Sequence, residues 1–572
     1  MVRRRLAART LTIVALLAVC ARLSFGAPRA GAGPVDRQEL KEWLTYIASD
    51  DLEGRAVFTA GIGLAAAYIE EHLREWGARP AGDSGSFLQT VRVLGVKTSG
   101  RSTVTVEVGG VSRTFAEGEG IVLPKNEGGR RRFTVDRIEF AGYGLDVPAL
   151  HHDDYSGKIV KGAAVVWLGA DGPHGVDAAQ RRLLTGRSRY AIETLGAAAS
   201  IGPELPAFGG RGRSGAGPAP AAPGASGGRG AAAIPAADFT TVQRLDAPIA
   251  PSVTATDAFF EFLFSRAPLP YTELKRRAAA REPLPEFRLE GVTITFNIDA
   301  DYQVVRTQLT QNVVAVVEGV DPQLKHTFVA FGAHYDHVGY AEGEVVTDAA
   351  GVHRVGAPGR VTPGAEQDRI WNGADDDGSG TVALMALAHA FAQGPRPKRS
   401  LLFVWHAGEE RGLYGSKYFA DYPTVPLDRI VAQLNIDMIG RNRDNKASEA
   451  NTVYLVGSDR ISSELDAVNR EANASLRPPL TLDYEMNDPN DPEQLYTRSD
   501  HYSYAAKGIP IIFFTTGLHP DYHANTDEVS KIEFDKLTRI TQLVYETGMR
   551  VANLDHPPVR DNKGPRAGKS SQ

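Results

Sequence analysis

Trp371-Asn-Gly-Ala-Asp-Asp-Asp-Gly-Ser-Gly380 sets three consecutive aspartates between a turn and an apolar run. Asn372-Gly373 supplies the turn, and Ser379 stands where a helix N-cap belongs. The spacing predicts a helix over 381–393, with Val382, Met385, Leu387 and Phe391 facing inward and Gly394 ending it. Adjacent carboxylates repel each other, and turn aspartates are costly to bury without a cation. Taken alone, the stretch reads as a solvated acidic turn beside a helix cap. The residues downstream point elsewhere.

After Asn312 the chain alternates apolar strands with helical segments, the pattern of an α/β fold with a mixed sheet flanked by helices. A strand over 327–333 runs into His334. One over 401–405 runs into His406-Ala-Gly-Glu-Glu410, and one over 430–436 runs into Asp437. A fourth, 509–515, precedes His519 and His523, and helices are expected over 461–474 and 534–551. In open α/β sheets, ligands gather beyond the carboxyl ends of the strands, where all these polar residues fall.

Each piece also has an ordinary structural reading: a satisfied core histidine for His334, a solvated turn for Glu409-Glu410, a buried ion pair for Asp437. His519 and His523 stand four apart, but Pro520 forbids a helix between them, so at most one is a ligand. Together the residues are two histidines and at least three carboxylates on different strand ends. Mixed His/Asp/Glu without cysteine suits zinc first, with cobalt or manganese as substitutes. The number of ligands exceeds what one zinc needs; two ions about 3.5–4 Å apart with a bridging carboxylate would use them all. One glutamate of the pair is then left to act as a general base.

Upstream, Leu40, Trp43, Leu44 and Ile47 form one helical stripe, and Leu64, Tyr68, Leu73 and Trp76 a second. From Arg101 the texture becomes β-rich, with Val104-Val106-Val108 alternating. Within this segment, 207–232 is a Gly, Pro, Ala, Ser and Arg tract read as a disordered loop. At the amino end, Arg3-Arg4-Arg5, an apolar run over 11–19 and small residues near Gly26 describe a secretory signal peptide, so the protein is expected to be exported, periplasmic or extracellular. The run is too short for a membrane span, and the mature chain is expected to have no transmembrane anchor. Cleavage removes five arginines, so the formal charge of −6 becomes −11, which argues against a nucleic-acid partner. The single cysteine, Cys20, lies in this segment; lipid attachment there is the lesser alternative, because Val19 is bulkier than processing prefers.

Gly332-Ala-His-Tyr-Asp336, the Asn372–Gly380 stretch, Gly408-Glu-Glu-Arg-Gly-Leu-Tyr-Gly-Ser416, Asn435-Ile-Asp-Met-Ile-Gly440 and Asp521-Tyr-His-Ala-Asn-Thr-Asp527 resemble, in order, the signature blocks of the bacterial di-zinc aminopeptidases. That family is shared with glutamate carboxypeptidase, glutaminyl cyclase and the transferrin receptor. Ala48-Ser-Asp-Asp-Leu-Glu-Gly-Arg55 resembles its N-terminal region, and the β-rich segment resembles an inserted protease-associated domain. The resemblance implies a catalytic domain in two parts (36–95 and 299–552) with an insertion over 96–298; the residues themselves set a signal peptide over 1–26 before it and a flexible tail over 553–572 after it. It further implies that His334 and Asp437 hold one zinc, Glu410 and His523 the other, and Asp376 bridges. The choice of Asp376 rests on its place in the motif, since physics alone does not separate the three aspartates. Asp336 would orient His334, Glu409 would be the general base, and Tyr522 would help polarise the scissile carbonyl. Arg498-Ser-Asp-His501 resembles a further block, read as substrate contact. The implied activity is a secreted metallo-aminopeptidase acting on peptides. The alternatives are a carboxypeptidase or dipeptidase, marked by an arginine-lined pocket at Arg498 or Arg441, then a glutaminyl cyclase or a receptor-like binding protein.

Overall fold

Four strands, Ser400–His406, Phe328–His334, Ile430–Ile436 and Ile511–Thr515, lie side by side in that order and parallel at the centre of a ten-stranded sheet. Every residue in them is buried, because helices and loops cover both faces; this is why these segments read as unbroken apolar runs. The computed structural model describes residues 34–176, 181–204, 236–348, 351–357, 359–489 and 491–562. The signal segment with Cys20, the tract 207–232 and the end of the tail lie outside the described residues. Ser400–His406 pairs antiparallel with the long strand Ala300–Val317, which pairs antiparallel with Leu88–Gly100. Thr452–Val456 adds antiparallel to Ile511–Thr515 on the other side, so the sheet is mixed, as expected.

The helix Gly380–Gln393 packs on this sheet, with Val382, Met385, Leu387 and Phe391 fully buried. Each contributes about 1.5–3 kcal/mol by leaving water. The expected cap is corrected. Ser379 already has helical backbone angles, and its hydroxyl donates to the Asp375 carbonyl at 2.9 Å. Asp377 does the capping instead, its Oδ1 accepting the Gly380 N–H at 2.8 Å. Gly394 ends the helix, donating to the Ala390 carbonyl at 2.9 Å.

The helix Arg37–Ile47 starts where the Asp36 carboxylate accepts from the Gln38 and Glu39 amides, and it buries Leu40, Trp43, Leu44 and Ile47, as expected. The next helix, Ala60–Glu75, puts Leu73 and the following Trp76 in the core with Tyr68 packed against it, as expected, but Leu64 is 47% exposed and Ile62, Ala65, Ala66 and Ile69 complete the inward face. Gly61 explains the rotation. A Cβ there would lie 1.9 Å from the Leu52 carbonyl oxygen, so the helix start meets the 50–55 turn backbone to backbone and the small-residue face turns in. The helices Ser463–Ser475 and Phe534–Asn553 lie close to the expected 461–474 and 534–551.

The antiparallel pair Leu88–Gly100 and Ala300–Val317 leads the chain out of this sheet and back. Between them, residues from Thr103 to Ile298 build a second ten-stranded sheet with its own core, to which Val104, Val106 and Val108 contribute. The two bodies touch where Arg182 pairs with Glu493 at 2.9 Å. Among the described residues, no helix is long and apolar enough to cross a membrane.

Candidate metal centre

His334 is the last residue of its strand, and Asp437 follows directly on Ile430–Ile436. Glu409 and Glu410 follow Ser400–His406, and His523 follows Ile511–Thr515. Three neighbouring parallel strands and the loop after a fourth therefore deliver side chains to one point. Asp376 reaches it from the turn before the helix Gly380–Gln393.

The fold separates the three aspartates that residue chemistry left equivalent. Asp375 faces away, accepting the Gly440 N–H at 2.6 Å and meeting His519 Nε2 at 3.2 Å. Asp377 accepts from Gly380 and from Met438, at 2.8 and 3.2 Å. Asp376 alone turns into the cluster, because its N–H and that of Asp375 are both held by the buried Asp527 carboxylate, at 3.1 and 3.0 Å. Asp376 Oδ1 lies 3.3 Å from His334 Nε2, and its Oδ2 lies 3.0 Å from His523 Nε2. Asp437 Oδ1 lies 3.6 Å from His334 Nε2, and Glu410 Oε1 lies 3.0 Å from His523 Nε2. All five residues singled out as ligands thus meet, with Asp376 offering one oxygen to each half.

Asp336 does more than orient His334. The closer contact of His334 Nδ1 is with the Asp336 main-chain carbonyl, at 3.1 Å; the carboxylate is 3.7 Å away. That carboxylate accepts three consecutive amides, Gly408, Glu409 and Glu410, at 2.7, 3.1 and 3.4 Å. It thereby fixes the loop that carries both glutamates. Asp437 is held in turn by the Ser499 hydroxyl, which donates to Oδ2 at 2.7 Å. Of the two histidines four apart, His523 enters the cluster and His519 supports Asp375. His406 stays outside; burial lowers its pKa to about 3, and its Nε2 meets the Tyr504 hydroxyl at 3.0 Å.

His337 was missed by the sequence argument. It sits one residue past Asp336 on the turn that leaves the strand, and its Nδ1 is 3.0 Å from Glu410 Oε1. The signal was the second histidine of His334-Tyr-Asp-His337, three apart, which on a turn places both rings on one side.

The donors fit a divalent cation. His334, Asp376 and Asp437 place one ligand atom each within 4.8 Å of one another, and so do His337, Asp376 and Glu410. His334 Nε2 and Asp376 Oδ2 are buried and make no hydrogen bond. Burial disfavours a proton on His334, but the Asp437 charge and contacts with Asp336 and Asp376 raise its pKa well above the ordinary value. Burial and the Glu410 charge push the Asp376 carboxyl up, yet His334 and His523 hold it below the ordinary range. Carboxylate charge on this scale draws cations: protons on the imidazoles, or a metal that displaces them.

A small cavity, of about 40 Å³, opens beside the cluster. Asp376, Asp437 and Glu409 line it together with the apolar Met438, Leu495, Phe513 and Leu518. Arg498 and Tyr522 also border it, with Arg498 donating to the Tyr522 hydroxyl at 3.2 Å and to Glu493 Oε2 at 2.7 Å. Arg441 lies elsewhere, buried against Asp521 at 2.9 Å.

Comparison with known proteins finds similarity to peptidases. Leucine aminopeptidase 1 of Trichophyton equinum is 28% identical over 210 residues, 33% of this chain and 54% of that protein. Leupeptin-inactivating enzyme 1 of Streptomyces exfoliatus is 32% identical over 152 residues, 26% of this chain and 30% of that protein. The chain spans about half the length of the leucine aminopeptidase it matches. Among solved structures, the aminopeptidase from Aneurinibacillus sp. strain AM-1 is similar at TM-score 0.41 and 18% identity, over 93% of this chain and 97% of that one. BSAP, a zinc aminopeptidase from Bacillus subtilis, is similar at TM-score 0.41 and 16% identity, over 92% and 99%. Residues 312–548, which contain every member of the cluster, match the model of peptidase family M28.

Proposed function

We propose that the chain is a zinc-dependent aminopeptidase that removes the N-terminal residue of peptides. The observation that carries this reading is the cavity beside the cluster, whose lining combines carboxylates with apolar side chains. A free α-ammonium is attracted to Asp376, Glu409 and Asp437, and an apolar side chain fits against Met438, Leu495, Phe513 and Leu518. The names of the leucine aminopeptidase relatives support the same reading.

His334, Asp376 and Asp437 would hold one zinc ion, and Asp376, Glu410 and His523 a second. When bound, zinc supplies Lewis acidity, polarising a carbonyl oxygen and acidifying water. Glu409 borders the cavity, and its N–H is pinned by Asp336. Its carboxylate takes a proton from the attacking water and returns it to the departing amine, since the same group serves as base and then acid. Tyr522, held by Arg498, presents its hydroxyl to the substrate carbonyl. Asp336 keeps Glu409 and Glu410 in register, so that one glutamate binds and its neighbour moves protons.

The carboxypeptidase alternative needs an arginine turned to a substrate carboxylate. Arg441 is committed to Asp521, and Arg498 is committed to Glu493, which weighs against it. We assign 96–298 as an inserted domain and 299–552 with 36–95 as the catalytic one, and we place the protein outside the cytoplasm on the strength of its amino-terminal segment. The test is a pair of leucine anilides, one with a free and one with an acetylated α-amine. Hydrolysis of the free amine alone is expected; equal rates on both would refute the proposal.

A further inference from the structure

Resting on the two-ion reading, the structure assigns His337 as a sixth protein ligand, one that closes the Glu410 half of the site and makes the two halves unequal. Three observations converge. The first is distance. Tetrahedral zinc with bonds of about 2.0–2.1 Å has ligand-to-ligand edges of about 3.3 Å. Around the Glu410 half the edges are 3.0 Å (His337 Nδ1 to Glu410 Oε1), 3.9 Å (His337 Nδ1 to Asp376 Oδ2), 3.0 Å (His523 Nε2 to Asp376 Oδ2) and 3.0 Å (His523 Nε2 to Glu410 Oε1). His337 Nδ1 and His523 Nε2 thus each approach the same two carboxylate oxygens, Glu410 Oε1 and Asp376 Oδ2.

The second is burial. His337 is 1% exposed, and neither of its ring nitrogens makes a hydrogen bond, although Nδ1 is only 3.0 Å from a carboxylate oxygen. Buried imidazole nitrogens without a well-formed hydrogen bond are what a bound metal would satisfy. The ring has a slot made for it: a Cβ on Gly373, where φ is +57°, would fall 2.5 Å from His337 Cγ and Cδ2.

The third is access. Asp376 and Asp437 border the substrate cavity, whereas His337, Glu410 and His523 do not. The half with three donors, His334, Asp376 and Asp437, faces the cavity with a coordination position to spare; in the half with four, His337 and Glu410 are shut from solvent and His523 is partly exposed. Closed four-ligand sites hold zinc structurally, and open three-ligand sites do its chemistry. His337 thus fits the four-donor half for tight retention of its ion and leaves substrate exchange to the other.

The test compares zinc binding to the metal-stripped full-length protein with that of two variants, by calorimetric titration. His337→Leu keeps ring-like bulk without a donor, and His337→Asp places an oxygen near the position of Nδ1. For His337→Leu we expect the affinity of one of the two ions to fall at least about 10-fold while the other is unchanged. His337→Asp should recover most of that loss, and circular dichroism should show both variants folded. Two outcomes overturn the assignment: a Leu variant that titrates like the parent, or an Asp variant as weak as Leu, which makes the effect one of packing. A parent protein that takes up fewer than two zinc ions counts instead against the two-ion reading beneath it.

Discussion

Arg55 ties the amino-terminal helices to the metal site, and replacing it tests whether that tie is structural. Its guanidinium is fully buried and donates to four carbonyls: Tyr335 at 3.0 Å, Ile47 at 2.6 Å, Asn372 at 2.7 Å and Gly373 at 3.0 Å. Burial lowers its pKa to about 10, with Asp336 the first of several charges opposing this, so it stays charged at neutral pH. Hydrogen bonds from a charged donor are worth about 1.5–3 kcal/mol each, or about 6–12 kcal/mol gross for four. Desolvating the cation costs several kcal/mol of that, and removing one member of such a buried set costs about 3–5 kcal/mol net. Arg55→Met, which keeps the length and deletes the donors, should destabilise the first sheet by that amount. Urea unfolding followed by tryptophan fluorescence reads it, since Trp43, Trp76, Trp371 and Trp405 are all buried in that body. Zinc affinity should fall as well, because the Asn372 and Gly373 carbonyls anchor the turn that delivers Asp376. A loss under about 1 kcal/mol with unchanged zinc affinity would refute the reasoning.

Glu409→Gln should retain zinc and lower kcat about 10²–10⁴-fold, measured by elemental analysis and initial rates; loss of zinc would mean that Glu409, not Glu410, is the ligand. Ile69→Ala should cost about 2–5 kcal/mol in urea unfolding and Leu64→Ala no more than about 0.5, since only Ile69 faces the core. Glu493→Gln loosens Arg498 and, through it, Tyr522; kcat/KM should fall about two- to fivefold with zinc content unchanged, the worth of a half-exposed ion pair.

The strands that position the site were legible because parallel strands are buried on both faces and read as apolar runs. The ligand types were legible because they follow those runs. Which of Asp375, Asp376 and Asp377 enters the cluster was not. That depends on Asp527, which lies 151 residues after Asp376 in sequence and holds two amides of the turn. The same distance problem hid the helix cap, where Asp377 and Ser379 both have a capping side chain and backbone angles alone decide. Leu64 misled because hydrophobicity was weighed without the glycine contact that rotates its helix. His337 follows Asp336 directly, and only the fold shows that the turn carries its ring to Glu410.

Digestion of a peptide carrying a free α-amine, an apolar first residue and an amidated C-terminus, followed by mass spectrometry with and without a chelator, tests the central claim most directly. The account predicts a ladder shortened one residue at a time from the amino end, abolished by the chelator and restored by zinc. Shortening from the carboxyl end, or a ladder that persists after the metal is removed, would contradict it.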